Sequence, residues 1–506
     1  MGKPKNRPYR QQINRRKLLK GAGGASLGTL LAMHGFGRGQ GFGGLAAAAE
    51  EKPKFLIVMT CSGGASILDS FMAMTESEVT AAGGDPARLN CFVDADVTRF
   101  ADHDLRAVSV NTQIATLGGY PIATNQTEFV RKHGADTMVV TTEGTSVNHG
   151  IAQKRSLTGN DAWHGRTIQE AVAAHFGGQL PIANLNMGSG GFGLPGIDPS
   201  LPAFAHNAMV SDPLYWALGL HSNAGLSGVP ADNLLAMARN VRNEALEPGS
   251  NFVKTFSDAP AIRRWINDRQ QTMNQYEAMD LINKLSFIPE FDNISAPDAE
   301  TLALRQAFPD YAKDSLDAQA ILGYQAITKG VSCAVTLGPT PAAITEGLDK
   351  FYNPPIAFDF SHTDHRGTQA MMWERCLRVT DKLIDLLKQK EFDPATGESY
   401  WDRTMIYFAS DFGRDKVRPS GSTAFSSGHH LNNASVIISP MANGGKILGG
   451  LDYTTGLTYG FDINSGTPEP GRLTSEKELY AGILGVMGVD TSGSGLPDIK
   501  AMRRNG

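Results

Sequence analysis

Cysteine is scarce: the 506 residues hold four, Cys61, Cys91, Cys333 and Cys376, widely spread and never spaced as C-x-x-C. A zinc–thiolate site is therefore unsupported, and the four read as buried thiols rather than as a disulfide framework. Charge is modest too. With 19% charged and 41% hydrophobic residues the composition is neither disordered nor fibrous, and the length suffices for a large core with an inserted subdomain. No internal repeat or heptad pattern occurs. The glycine-rich "GSGGFGLPG" at 188–196 lacks what a dinucleotide loop needs, because Pro195, Pro199 and Pro202 keep a helix from starting under the pyrophosphate. It reads as a connecting loop. With no iron–sulfur or molybdenum motif either, an oxidoreductase is the weakest of the functional classes.

Residues 1–49 contain no acid and nine basic residues. Arg15 and Arg16 in "NRRKLLK" precede a mildly apolar stretch rich in Gly and Ala, then "GLAAAAE" at 44–50, whose small residues suit a signal peptidase. This order resembles a twin-arginine export signal. It predicts passage through the twin-arginine translocase to a periplasmic or extracellular location. Ser26, Thr29 and His34 dilute the apolar stretch below the ~20 strongly apolar residues of a permanent membrane anchor, so none is expected. Without residues 1–49 the chain holds 37 basic residues against 51 acidic ones, a formal net charge of −14. That balance argues against nucleic acid as a partner.

Continuous apolar runs recur at "KFLIVMTC" (54–61), "DTMVVTT" (136–142), "LPIANLNM" (180–187), "VSCAVTL" (331–337), "TMIYFAS" (404–410) and "ASVIIS" (434–439). Such runs predict strands buried on both faces, hence an α/β protein with a mainly parallel sheet sandwiched by helices. A helix is predicted over about 367–389, where Trp373, Cys376, Leu377, Thr380, Ile384 and Leu387 recur at helical spacing with charges between them. Between 230 and 330 amphipathic stretches follow one another without an intervening strand. They predict a helical insertion, residues 230–330, that lies over one edge or face of the sheet and divides the core into residues 50–229 and 331–506.

Ligands of parallel sheets gather at the carboxyl ends of the strands, and four polar clusters follow predicted strands here. "CSGGASILDS" (61–70) offers Ser62, Ser66 and Asp69 beside two glycines that let backbone approach a ligand. "TTEGTSVNHG" (141–150) offers Glu143, Thr145, Ser146, Asn148 and His149. "FDFSHTDHRG" (358–367) offers Asp359, His362, Asp364 and His365, and "ASDFGRDKVRPSGSTAFSSGHH" (409–430) offers Asp411, Arg414, His429 and His430. A single His in such a loop is commonly a turn residue. Two acid-and-His clusters flanking one strand–helix–strand unit are what a metal site assembled from separate loops requires. Imidazole with carboxylate suits a divalent ion, zinc foremost, with manganese, iron or calcium as alternatives. Neighbours in an extended segment face opposite ways, so only one of His429 and His430 is expected at a shared ion.

"ASDFGRDK" followed by "SGHHLNNASVIISPMANGGKILGG" resembles the S-E-F-G-R segment and later Gly-x-x-His and Gly-Gly elements of the bacterial domain of unknown function 1501 family, often exported by the twin-arginine route. "GGASILDS", "VNHGIAQKRSLTGNDAWHGR", "FSHTDHRGTQ" and "LTSEKELYAGILGVMGV" resemble further segments of it. The likeness spans about 55–200 and 355–490 and leaves the expected insertion uncovered. That family is similar to the alkaline phosphatase and sulfatase superfamily, whose members hold one or two divalent metals at strand ends and transfer phosphoryl or sulfuryl groups. The resemblance implies an alkaline-phosphatase-like core with Asp411 and His430 as metal ligands. It makes Asp359, His362 and His365 competing candidates for the other metal position and Ser146 or Thr145 the nucleophile. Arg155, Arg166 or Arg414 would hold the anion.

The chain departs from that pattern. The family's acid in the glycine motif is Ser66 here, with Asp69 nearby as a substitute ligand, and Asp411 is followed by Phe412 where phosphatases often have His. No C-x-P-S-R segment supplies a modified cysteine nucleophile. The expectation is an exported, metal-dependent hydrolase of a phosphate or sulfate ester, its substrate a small molecule or a polysaccharide. The rival reading, supported by Ser66, is a non-catalytic periplasmic or cell-surface binding protein on a degenerate hydrolase fold.

Overall fold

The computed structural model describes residues 51–115, 119–220, 232–256, 259, 266, 279–288, 296–339, 357–419 and 425–504, so the predicted export signal lies outside the described residues. Residues 391–398 group apart from the rest. By themselves they hold the short strand Glu391–Asp393 and a turn in which Asp393 accepts from the Ala395 amide at 3.0 Å.

The larger unit is organised by an eight-stranded sheet: β1 (Phe55–Cys61), β2 (Thr137–Glu143), β3 (Asn184–Asn186), β4 (Ala208–Met209), β5 (Ala334–Leu337), β6 (Thr404–Ser410), β7 (Asn432–Ile438) and β8 (Lys446–Leu448). Their spatial order is β8-β2-β7-β6-β1-β5-β3-β4. All six apolar runs read from the sequence lie in it. β1 pairs in parallel with β6 and β5, β3 with β5 and β4, and β8 with β2. β7 alone runs antiparallel to its neighbours, β6 and β2. The sheet is therefore mainly parallel, with one reversal that an apolar run, reading alike in both directions, does not reveal. Because β7 enters from the end at which β1, β2, β5 and β6 leave, the hairpin before it lies on the carboxyl edge.

Both faces of the sheet are covered, so alternation cannot set the register. β1 is buried at every position, and full burial of each of Phe55, Leu56, Ile57, Val58 and Met59 contributes about 1.5–3 kcal/mol whichever residue lies opposite. Polar contacts at the strand ends decide instead. Cys61 lies opposite Ser410, the Gly63 amide donates to Asp411 Oδ2 at 3.0 Å, and the Ala65 amide donates to Ser410 Oγ at 3.0 Å. A slip of one residue would break both bonds.

The covering helices relevant to the site are α1 (His149–Thr158), α2 (Ile168–Phe176), α3 (Ser315–Thr328), α4 (His365–Gln389) and α5 (Glu476–Met487). Each starts at a capping side chain. α2 and α5 open with capping boxes, Thr167 with Glu170 and Ser475 with Glu478. Asp364 caps α4 by accepting from the Gly367 amide, and Asn148 caps α1 by accepting from the Ile151 amide at 3.3 Å. α1 stops at Gly159, whose φ of 62° suits glycine.

The stretch at 230–330 holds no strand among its described residues. Its last helix packs on the sheet. α3 is buried from Leu316 to Thr328, and it approaches β5 so closely that a Cβ on Gly323 would lie 3.1 Å from Val335 Cγ1. α3 thus lies over one face of the sheet. A small antiparallel sheet of Val97–Arg99, Arg106–Ile114 and Tyr120–Asn125 has no continuous apolar run to announce it. All four cysteines are buried and free. No helix among the described residues is long and apolar enough to cross a membrane.

Candidate metal centre

β1 and β6 end level, so Ser62–Gly64 and Asp411 emerge side by side. β7 begins beside the end of β2, Asn432 opposite Glu143. Just upstream, His429 pairs with Arg414 and His430 with Gly413 in a two-residue antiparallel ladder. The chain leaving β2 turns into α1, whose first residue is His149. Phe358–His362 forms a 3-10 turn ahead of α4. These loops bring His149, Asp359, His362 and His429 together, one ligand atom of each within 4.8 Å of all the others.

Asp359 Oδ1 lies 3.3 Å from the Nε2 of His149, 3.3 Å from that of His362 and 3.7 Å from that of His429. Donors about 2.0–2.1 Å from a tetrahedral ion stand ~3.3–3.4 Å apart, so these spacings suit one. The Nε2 atoms of His362 and His429 are closer, at 2.6 Å. A tetrahedral ion requires them to open by roughly 0.7 Å.

The far side of two rings fixes where their lone pairs point. His429 Nδ1 is 2.9 Å from the Val147 carbonyl oxygen, and His149 Nδ1 is 2.8 Å from Asp411 Oδ2. A carbonyl and a carboxylate only accept, so both rings carry a proton on Nδ1 and, when neutral, turn an Nε2 lone pair into the cluster. Asp411 is itself held: it is 4% exposed, and its Oδ2 also accepts from the Gly63 amide and from Gln153 Nε2 at 3.3 Å. Expected as a ligand, Asp411 instead stands behind His149 and orients it. Phe412 stacks on His429 with ring centroids 4.0 Å apart.

Arg414 is fully buried against the cluster. It donates to Asp359 Oδ1 at 2.9 Å, to the Ser427 carbonyl at 3.0 Å and to the Gly63 carbonyl. Burial would raise the Asp359 carboxyl, but hydrogen bonds from His149 and Arg414 outweigh it and hold it well below the usual range. Hydrogen bonds to Asp359 and Asp411 push His149 up to about 9. Burial pushes His362 down, with the Arg414 charge adding to it, and burial likewise lowers His429, assisted by the charges of Arg414 and His149.

The other expected site residues lie outside this set. Asp69 Oδ2 and His365 form a buried pair at 2.9 Å, Asn90 donates to the same oxygen at 2.8 Å, and Arg366 takes Asp69 Oδ1 at 2.7 Å. His365 is the first residue of α4, so this acid-and-His cluster starts a helix. His430 accepts the Asn432 amide on its Nδ1 at 3.0 Å, and the preference for His430 over His429 is corrected: the ladder turns His429 to the cluster. Thr145 donates to Glu476 Oε2 at 2.6 Å and accepts from Arg155 at 3.0 Å. Ser146 Oγ accepts from the Asn148 amide at 3.1 Å. Arg166 pairs with Asp198 at 2.6 Å. Buried Ser66 gives its amide to Gln369 Oε1 at 2.9 Å. His149 and His429 are the donors that the sequence reading did not select. A second group, His133, Asp381 and Asp385, is already bridged by the Lys132 ammonium.

Gly63 is what lets these loops approach. A Cβ there would lie 2.1 Å from the Asp359 nitrogen, and its φ of +99° is rarely adopted by L residues. Backbone strain of this kind costs about 1–3 kcal/mol. Gly63→Ala is therefore expected to lower the melting temperature and to displace Asp359 from the cluster. A zinc affinity unchanged in calorimetric titration would show that the 358–362 turn adjusts freely.

No family model matches the chain, and no curated protein does; the resemblance read from its motifs gains no support there. Among solved structures, the chain is similar to the crystal structure of the lipoteichoic acid synthase LtaP from Listeria monocytogenes. The identity is 8%, the match covers 90% of this chain and 77% of that chain, and the TM-score is 0.32. A superposition this loose carries no argument, so the α/β class rests on the sheet itself and the candidate centre on its donor geometry.

Proposed function

We propose that the chain binds a divalent metal ion, zinc foremost, through His149, Asp359, His362 and His429, and hydrolyses a phosphate or sulfate ester there after export, on an alkaline-phosphatase-like core. The observation that carries this reading is the aim of the imidazoles. Nδ1–H bonds to Val147 and Asp411 aim the Nε2 atoms of His429 and His149 at the Asp359 oxygen, where each would offer a lone pair to an ion that displaces any Nε2 proton. A bound divalent ion would neutralise charge on the ester oxygens and make a nearby hydroxyl or water more acidic.

The chain's own residues supply the rest. Asp411 keeps His149 in its ligating tautomer, and Arg414 fixes the Asp359 carboxylate. Ser146 is the candidate nucleophile: the Asn148 amide donates to its oxygen and leaves the hydroxyl proton free to move, while the N-terminus of α1 favours a nearby anion. Thr145, its hydroxyl bound to Glu476, is the second candidate.

The chain from residue 50 onward, loaded with zinc or manganese, is expected to release p-nitrophenol from p-nitrophenyl phosphate or sulfate. Ser146→Ala should be inactive at unchanged metal content. Ser66, where an acid would support a second ion, favours the rival role in binding, and stoichiometric metal with neither ester turned over would leave that role standing. Elemental analysis showing no bound metal would remove the hydrolase reading.

A further inference from the structure

A cavity of about 30 Å³ lies behind the cluster, walled by Thr142 of β2, Ser410 of β6, Ser435 of β7, Asp411 and Glu476. Asp411 is 4% exposed, and its Oδ1 has no hydrogen-bond partner. Its other oxygen already takes His149, Gly63 and Gln153. Protein interiors seldom leave a carboxylate oxygen bare. Apolar Phe412, Leu431 and Leu479 share the wall with these polar groups, and a water needs at least about 10–15 Å³ of space beside two or more polar partners. One water fits, whereas a hard cation with its six or more oxygen ligands does not.

We infer that an ordered water occupies this cavity, donates to Asp411 Oδ1 and to Glu476, and makes Glu476 a positioning residue for His149. The water's two protons match the two carboxyl groups, and Thr142 lines the same cavity. Glu476 is the first residue of α5 and 8% exposed, and it already holds Thr145 at 2.6 Å. Burial pushes its carboxyl above the ordinary range, against the hydrogen bond from Thr145, so a further donor stabilises it. A single water thus joins the support of a ligand to the loop that carries Thr145 and Ser146. The water stands independently of any metal; the positioning role rests on the proposed metal site.

Two measurements test the two parts. A crystal structure showing ordered solvent should place one peak at about 2.6–3.0 Å from both Asp411 Oδ1 and a Glu476 oxygen. An empty cavity overturns the inference, as does a peak with six or more oxygens at about 2.3–2.6 Å, the mark of a cation. Gly144 lines the same cavity, and a Cβ on it would meet the Leu431 carbonyl at 3.4 Å and Glu476 Oε1 at 3.8 Å, ordinary contacts. Gly144→Ala therefore takes space beside Glu476 without strain. Gly144→Ala and Glu476→Leu are expected to weaken zinc binding by about 10-fold or more, as loss of an outer partner does, at unchanged stoichiometry and unchanged melting temperature in chelator. Glu476→Gln, which can still bond the water, should restore most of the affinity. A peak in place with unaltered affinity in both variants overturns the positioning role. If the wild-type chain binds no zinc, the metal reading fails, and the solvent peak still decides the water.

Discussion

His429→Ala is expected to remove tight zinc binding, with affinity falling by more than the 10–100-fold that loss of an outer partner typically costs. The ring supplies one of four converging donors, its Nε2 being 2.6 Å from that of His362 and 3.7 Å from Asp359 Oδ1. His430→Ala is expected to leave the affinity within a few-fold, because its ring bonds the Asn432 amide. Chelator competition reads both constants. Thermal unfolding gives an independent signal: zinc at 100 times its dissociation constant stabilises the folded chain by about 2.7 kcal/mol. That gain should appear for the wild type and His430→Ala and vanish for His429→Ala. A larger loss from His430→Ala would show that the Gly413–Arg414 ladder is paired the other way in solution.

Asp69→Asn is expected to cost about 3–5 kcal/mol of stability, the usual effect of breaking a buried ion pair on one side. Asp69 is 3% exposed and accepts from Arg366 at 2.7 Å and Asn90 at 2.8 Å, while Arg366 is stacked 3.6 Å from the Phe92 ring centroid. An amide in its place leaves that buried cation uncompensated. Burial alone would raise the Asp69 carboxyl, but the charges of His365 and Arg366 prevail and hold it well below the ordinary range. A carboxylate depressed in the folded state contributes stability above its unfolded value of about 3.9 and loses it as pH falls through that value towards the folded one. Wild-type stability should therefore fall steeply from about pH 5 to pH 2, and the Asp69→Asn curve should be flatter. Urea unfolding across that range measures both. Equal slopes, or a loss under about 1 kcal/mol at pH 7, would contradict the arrangement. Zinc affinity should be unmoved, which separates this role from that of the ligand expected from the sequence.

β1 and β6 are legible in the sequence because strands covered on both faces are written as continuous apolar runs. The direction of β7 is not, and that direction places His429 at the centre. The four loops are legible as a group, since polar residues collect where strands end. The ligand set within them is not. His149 stands in plain view after Asn148, a cap residue whose helix-starting chemistry would have placed the ring at the N-terminus of α1. Alternation says that one of His429 and His430 faces the cluster, but which one depends on their pairing with Arg414 and Gly413. Asp69 and His365 looked like ligands because a buried ion pair and a metal site draw on the same residue types.

The donors travel very different distances along the chain, yet distance is not their weak point. His362 and His429 are 67 residues apart and His149 and Asp359 are 210 apart, a difference in loop closure of only ~1 kcal/mol. The contrast lies in local order. His149 is the first residue of a ten-residue helix, between exposed Val147, Asn148 and Gly150, and helix ends open at little cost without disturbing the core. His149 is thus the donor expected to let go first from the proposed centre. The residence time of an ion held there would be set by fraying of a single helical turn, and the Asn148 cap would govern a rate of escape as well as a conformation.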